Sequence, residues 1–320
     1  MNTASFKELY ENNVNIMQYC RELKNSEENN IHSIMTSYDL QSGSYVSALN
    51  SPIINENYHV NFKKTPMLPA EFTEKFTQEV ANEINKYDFS SILEAGIGEA
   101  TTLVNVCKKL INKNAKISGF DISPSRIQIA KEYSASNSIS CNLFVADLNH
   151  IPLKDNSVDL IYTVHALEPN SNKEFELTKE LYRVTNKYLI LIEPSYELGN
   201  SETKANIEKH KYIKRLREAV NSLGGKILRY ELLTIGTYSN QPAIHVIEKS
   251  STPSFNTENA SDYKFVCPVC KNELEKVKGH NFCEFCGVVY PILNDIEILN
   301  ANNSIIFSHY YKNAACKKIE

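Results

Sequence analysis

Between Ser91 and Glu248 the chain repeats one pattern, in which short apolar runs alternate with amphipathic stretches of helical length. The runs are SILEA, AKISGF, CNLFVA, VDLIYTV, KYLILIE, GKILRYELL and AIHVIEK. Strands apolar on both faces must be covered on both faces, and parallel strands need crossovers long enough to hold a helix. The pattern therefore predicts an α/β fold with a mostly parallel sheet wrapped by helices. Seven strands exceed the six of a nicotinamide-binding domain. The last two runs are separated only by IGTYSNQP, which predicts an antiparallel hairpin at one edge. Ahead of the alternation, residues 4–24 and 71–86 show helical spacing, with Phe72, Phe76, Val80 and Ile84 forming one stripe.

The 320 residues, 42% hydrophobic, allow one large domain and a small appendage. STPSFNTENASD reads as a linker, and a cysteine-rich segment comes after it. The division expected is an N-terminal helical or lid segment over 1–70, a main domain over 71–250, a linker over 251–262, a β-rich unit over 263–302 and a tail over 303–320. Net charge is −4 and no long basic block occurs, which weighs against nucleic acid as a partner. No apolar run reaches the ~18 residues of a membrane span, and MNTASFKELYENN lacks the layout of a signal peptide. A cytoplasmic protein without membrane insertion is the expectation. Oligomeric state is left open.

SILEA runs directly into GIGEATTLVNVCKKL, a glycine turn between a buried strand and a helix, suited to a nucleotide-like ligand. Gly96 and Gly98 let the backbone approach that ligand, but Thr101 stands where a dinucleotide fingerprint wants a third glycine. Glu94 puts a carboxylate beside the turn, which suits an ammonium better than a phosphate. Asp121, at the end of the second strand, is placed for ribose hydroxyls. Asp147, at the end of the third, is placed for an exocyclic amine. Three acids at three successive strand ends fit one ligand.

The set ILEAGIGEA, GFDISPSRIQIAK, VADLNHIPLKDNSVDLIYTVHALE and ELYRVTNKYLILIEP resembles class I S-adenosylmethionine methyltransferases over roughly Lys64 to Lys249. That resemblance implies a Rossmann-like sheet of order 3-2-1-4-5-7-6, with S-adenosyl-L-methionine as methyl donor. It places Glu94 near the methionine amino group, Asp121 on the ribose and Asp147 near the adenine. The donor-binding set then comprises Glu94, Gly96, Gly98, Thr101, Asp121, Ile122, Arg126, Asp147 and Leu148. IMTSYDLQSGSYV resembles the lid of such enzymes, in which Tyr38 and Tyr45 close over the methionine end, although both rings also suit ordinary packing.

His165 and Glu168, in YTVHALEPN after the fourth strand, sit where methyl group and acceptor should meet. They are the candidate catalytic residues, with His165 as base for a hydroxyl acceptor. A purely structural role for that histidine fits the sequence equally well. Lys211, Lys214 and Arg215 share a helix face that could meet an anion or simply be solvated.

Near the C-terminus, Cys267, Cys270, Cys283 and Cys286 form two CxxC pairs separated by twelve residues, a spacing that gathers four thiolates around one structural Zn²⁺. Gly287 permits the tight turn after the second pair. CGVVYPILNDIEIL resembles the Trm112-like zinc-ribbon proteins, activators of methyltransferases, here fused in cis. These resemblances support two functions. The first is methyl transfer to a small-molecule acceptor such as a glycan, lipid or secondary-metabolite precursor, with oxygen as the accepting atom. The second is RNA methylation with the ribbon as docking module, although Lys264, Lys271, Lys276 and Lys278 face five acids within 263–302.

Overall fold

The computed structural model describes residues 5–250 and 264–310; the expected linker over 251–262 and the last part of the tail, 311–320, lie outside the described residues. Five parallel strands form the centre: β1 (Ser91–Ala95), β2 (Lys116–Asp121), β3 (Asn142–Val145), β4 (Val158–Val164) and β5 (Thr185–Pro194). β6 (Lys226–Leu232) and β7 (Pro242–Glu248) come next as an antiparallel pair, with β7 inserted beside β5 in the register Ile244↔Ile192. These seven strands run 3-2-1-4-5-7-6, and two more extend the sheet beyond β3.

The extension comes from the cysteine-rich segment: β8 (Ile292–Leu293) pairs with β9 (Ile296–Ile298), and β9 lies parallel to β3 with Glu297↔Phe144 and Ile298↔Val145. Ile296 and Ile298 are buried on one side of the pleat, so the alternation in IEI is that of a strand with one covered face. A separate four-stranded antiparallel sheet carries Cys283 at the end of one strand, and its last strand, Ile305–Ile306, lies within the segment expected to be a tail.

Helices α1 (Phe6–Glu11), α2 (Ile16–Lys24), α3 (Ile31–Leu40), α4 (Ser44–Leu49) and α5 (Pro69–Ile84) precede the sheet. The helical spacing over 4–24 is broken because Asn13 takes a left-handed φ of 60° and Asn15 caps α2 by accepting from the Gln18 amide at 3.0 Å. α6 (Thr101–Lys109), α7 (Pro124–Ser136), α8 (Glu174–Val184), α9 (Ser201–His210) and α10 (Leu216–Asn221) come after β1. IGTYSNQP is more than a break: Ile235–Thr237 pairs with Tyr58–Val60 and ties the N-terminal segment to the hairpin.

Two apolar layers cover the sheet. One joins α5, α6 and α7 to side chains such as Ile92, Tyr162, Ile190 and Val246. The other joins α8 and α10 to Leu93, Phe120, Phe144 and Leu189, and includes Cys267, Cys283, Tyr290 and Leu299. The cysteine-rich segment thus shares a core with the main domain, with the Phe144 and Phe265 rings 5.0 Å apart. Among the described residues no helix is long and apolar enough to cross a membrane.

Candidate active site

β1 ends at Ala95, and the chain turns through Gly96 (φ 76°) and Gly98 (φ 54°) into α6. A Cβ on Gly96 would stand 2.4 Å from the Ala166 Cβ; one on Gly98 would stand 3.2 Å from Nη1 of Arg126 and 3.3 Å from the Tyr45 ring. Both positions need glycine for conformation as well as space. The Gly96 and Ile97 amides donate to the Phe120 carbonyl at 2.8 and 3.0 Å, so the turn is fastened to β2.

Glu94, Asp121 and Asp147 all line one cavity of about 650 Å³ at the carboxyl ends of β1, β2 and β3. Glu94 is buried and accepts from the Tyr162 hydroxyl at 2.6 Å. Burial, reinforced by the charge of Asp121, pushes its carboxyl up to about 8 against the opposing Tyr162 bond. Asp121 accepts from the Gly98 amide at 2.9 Å and the Ser123 amide at 2.9 Å. Asp147 Oδ1 accepts from the Asn149 amide and side chain at 2.9 and 2.8 Å. Gly96, Gly98, Thr101, Ile122, Arg126, Leu148, Tyr38 and Tyr45 line the same cavity.

Arg126 is buried on α7 between the two tyrosines, its guanidinium 4.9 Å from the Tyr38 ring centre and 4.4 Å from that of Tyr45. Nε donates to the Tyr38 carbonyl at 2.9 Å, while Nη2 is buried without a protein partner. The N-terminal segment that carries these tyrosines is fixed by residues that motif and spacing leave unmarked. Glu99, inside the glycine turn and fully buried, accepts from the Gly43 amide at 2.9 Å and the Val46 amide at 2.8 Å. Asp39 accepts from the Ser123 hydroxyl at 2.7 Å and the Ser125 amide at 3.1 Å, at the start of α7. A carboxylate inside the glycine turn is the one signal the sequence offers for Glu99; its partners lie more than fifty positions away.

His165 and Glu168 line the cavity too. Nδ1 of His165 meets Oε1 of Glu168, which also accepts from the Asn240 side chain at 3.1 Å. Burial disfavours the imidazolium, but the Glu168 carboxylate outweighs it and holds the His165 pKa above its ordinary value. His165 adopts a left-handed φ of 53°, an unfavourable conformation for a residue with a Cβ. It persists because its amide donates to Ile192 and because buried Glu193 accepts from the Ala166 and Leu167 amides at 3.0 and 3.1 Å. Burial and nearby Glu168 push Glu193 up to about 7.

Lys211, Lys214 and Arg215 do not share a helix face: α9 ends at His210, Lys211 turns the chain with a left-handed φ of 57°, and α10 begins only at Leu216. Each is paired on its own, Lys211 with Glu27, Lys214 with Glu208 and Arg215 with Glu218. The sulfurs of Cys267, Cys270, Cys283 and Cys286 lie within 4.8 Å of one another, with Cys267 3.9 Å from Cys286 and Cys270 3.5 Å from Cys283. The two CxxC turns are built alike: the Lys271 amide donates to the Cys267 carbonyl and the Gly287 amide to the Cys283 carbonyl, both at 2.9 Å, and both residues have φ near 60°.

Residues 92–187 match a family model described as a methyltransferase domain. A curated relative, a sterol 4-C-methyltransferase from Caenorhabditis elegans, is 23% identical over 81% of this chain and 71% of its own length. Magnesium protoporphyrin IX methyltransferase from Synechocystis PCC 6803, solved with bound S-adenosylhomocysteine, superposes with a TM-score of 0.51 at 12% identity, over 69% of this chain and all of its own. The [4+2]-cyclase SpnF superposes at 0.54 with 15% identity, over 69% of this chain and 97% of its own. Fold, glycine turn and family match agree: this chain carries a methyltransferase domain and is an S-adenosylmethionine-dependent methyltransferase.

Proposed function

We propose that the enzyme moves a methyl group from S-adenosylmethionine to a hydroxyl of a small molecule, with His165 as the base. The residues of the cavity fit the donor. Glu94 would receive its ammonium, and the orphaned Nη2 of Arg126 its carboxylate. Asp121 would take the ribose hydroxyls and Asp147 the adenine amine, with Ile122 and Leu148 beside the base. Gly96, Gly98 and Thr101 line the same cavity and would lie along the ligand, with Tyr38 and Tyr45 over its methionine end.

The sulfonium supplies a methyl group already activated for transfer, so alignment is the enzyme's main task. Contact with Glu168 at Nδ1 fixes the tautomer that leaves the Nε2 lone pair of His165 for the acceptor. An acceptor hydroxyl gives its proton to Nε2 as its oxygen bonds to the methyl carbon, and the broken carbon–sulfur pair stays on sulfur. The single observation that carries this reading is the His165–Glu168 pair on the wall of the cavity that also holds the three acids. The pairing of Lys211, Lys214 and Arg215, just after α9, with carboxylates takes three cations from any RNA-binding face, which favours a small acceptor.

We also infer that the four cysteines bind one structural Zn²⁺. Zn–S bonds of ~2.3 Å in a tetrahedron put sulfurs about 3.8 Å apart, close to the spacings observed and far from a disulfide's ~2.05 Å. This agrees with the Trm112-like resemblance, and the free thiols suit a cytoplasmic setting.

The test pairs calorimetry with S-adenosylhomocysteine and tritiated methyl transfer into a metabolite extract or into total RNA. Binding and label in the metabolites are expected, and His165→Ala should lose transfer by about 10²-fold or more while keeping product affinity. Label only in RNA would refute the small-molecule reading; an active His165→Ala would refute the base.

A further inference from the structure

One cation lining the cavity has no part in holding the donor or the base. Arg21, on α2, donates to Oδ1 of Asn29, a neutral acceptor that is itself buried and anchored to the Pro169 carbonyl at 2.9 Å. Among the described residues Arg21 enters no ion pair; Glu27 is taken by Lys211, and Glu28 accepts from Asn172. The carboxylates of the cavity are also engaged elsewhere. Glu94 meets Tyr162, Asp121 and Asp147 meet backbone amides, and Glu168 meets His165. Exposed Glu27 feels the charge of Arg21 but is bonded to Lys211, so the half-buried guanidinium, hydrogen-bonded to a neutral amide, keeps a face of its planar fork for an anion in the cavity.

His210 and Tyr212 stand in the same part of the wall. Burial and the charges of Lys209 and Arg21 keep the His210 imidazole below its ordinary pKa, and Tyr212 feels both Glu168 and Arg21. Arg21 therefore shares its neighbours with the base pair. Met17, Ile31 and Ile34, from α2 and α3, add apolar lining. With His210 neutral and Lys209 outside the lining, Arg21 is the cation that faces the cavity here, which matches a monoanion better than a phosphate monoester.

We propose that Arg21 binds a carboxylate of the acceptor, so that the substrates are hydroxy acids presenting the hydroxyl to His165 and the carboxylate to Arg21. The assignment rests on the methyl-transfer reading but is read out separately from it. Protein saturated with S-adenosylhomocysteine is titrated calorimetrically with 4-hydroxycinnamate, 10-hydroxydecanoate, the neutral amide of each, and 4-hydroxyphenyl phosphate. At least one acid should bind about tenfold or more tighter than its amide, a difference typical of one charge-assisted hydrogen bond. Arg21→Gln should reduce that ratio to about threefold or less without changing product affinity, and Arg21→Lys should keep part of it. Equal binding of acid and amide, binding of neither, an unchanged ratio in Arg21→Gln, or tighter binding of the phosphate would each overturn the assignment. His165→Ala separates the two readings, because it should abolish transfer and leave the acid-to-amide ratio intact.

Discussion

The Tyr162 hydroxyl donates to Oε2 of Glu94 at 2.6 Å, inside a site where burial has raised that carboxyl to about 8. At neutral pH Glu94 is therefore mostly protonated in the free enzyme, whereas an ammonium partner needs it ionised. Donor binding should release close to one proton at pH 7, readable by calorimetry in two buffers of different ionisation heat. Affinity for S-adenosylhomocysteine should fall as pH drops below 8, approaching tenfold per unit. Glu94→Gln should bind more weakly by about tenfold or more and lose the proton release. A pH-independent affinity in the wild type would contradict the assignment of Glu94 to the ammonium.

Asn240 donates to the Glu168 oxygen that meets His165, and its side-chain carbonyl accepts from Asn206 at 3.2 Å, so α9 and the β-hairpin both orient the His165–Glu168 pair. Removing Asn240 leaves the carboxylate with one restraint fewer. Asn240→Ala should lower kcat by about tenfold, equivalent to about 1.4 kcal/mol, with product affinity unchanged. Because the amide draws charge from Glu168, the kinetic pKa of His165 should rise in the variant. A change in KM alone, with an unmoved pH profile, would mean that Asn240 touches the acceptor instead.

The main sheet was legible because its signals are local: each strand is a continuous apolar run, and Glu94, Asp121 and Asp147 sit at or just past strand ends, where parallel topology must bring them together. Glu99, Asn240 and Glu193 were not legible, since each acts on backbone or side chains distant in sequence and no periodicity marks them. The cysteine spacing announced a four-sulfur cluster and NDIEIL reads as an acidic-apolar strand, yet nothing local in it says that β9 joins the main sheet, which depends on β3 lying at the edge as well as on pairing with β8. The break of the first helix rests on asparagines that tolerate left-handed backbone, a propensity too weak to place it beforehand.

Glu99 ties the N-terminal segment that carries Tyr45 to the glycine turn. Its two oxygens accept the Gly43 and Val46 amides, which bracket Tyr45. Glu99→Ala would orphan both amides and open a void in the glycine turn, at a cost of about 3 kcal/mol. The prediction is faster hydrogen exchange across 43–47 and donor affinity weakened about tenfold, with Glu99→Gln in between. Unchanged exchange in the alanine variant would show that Asp39 and Arg126 hold this segment without Glu99.

The cysteine cluster reaches the donor pocket through covalent neighbours and one strand. The Leu299 amide donates to the Val145 carbonyl at 2.8 Å, two residues before Asp147. Lys271, inside the first cysteine turn, donates to Glu180 at 2.8 Å and to the Ile151 carbonyl at 3.2 Å, on the loop after Asp147. The Val266 amide donates to the Pro152 carbonyl at 3.0 Å. Without a cation to bridge them the four sulfurs lose the bonds that gather them, and the segment carrying them has too little core to hold its shape alone. Chelation, or Cys267→Ser with Cys283→Ser, should therefore release one zinc per chain and lower Tm by about 10 °C, since several kcal/mol are lost from a domain of this size. S-adenosylhomocysteine affinity should drop with it, because β9 then no longer braces the strand that delivers Asp147. Zinc-free protein with wild-type product affinity would confine the cluster to the ribbon and remove the link to the active site.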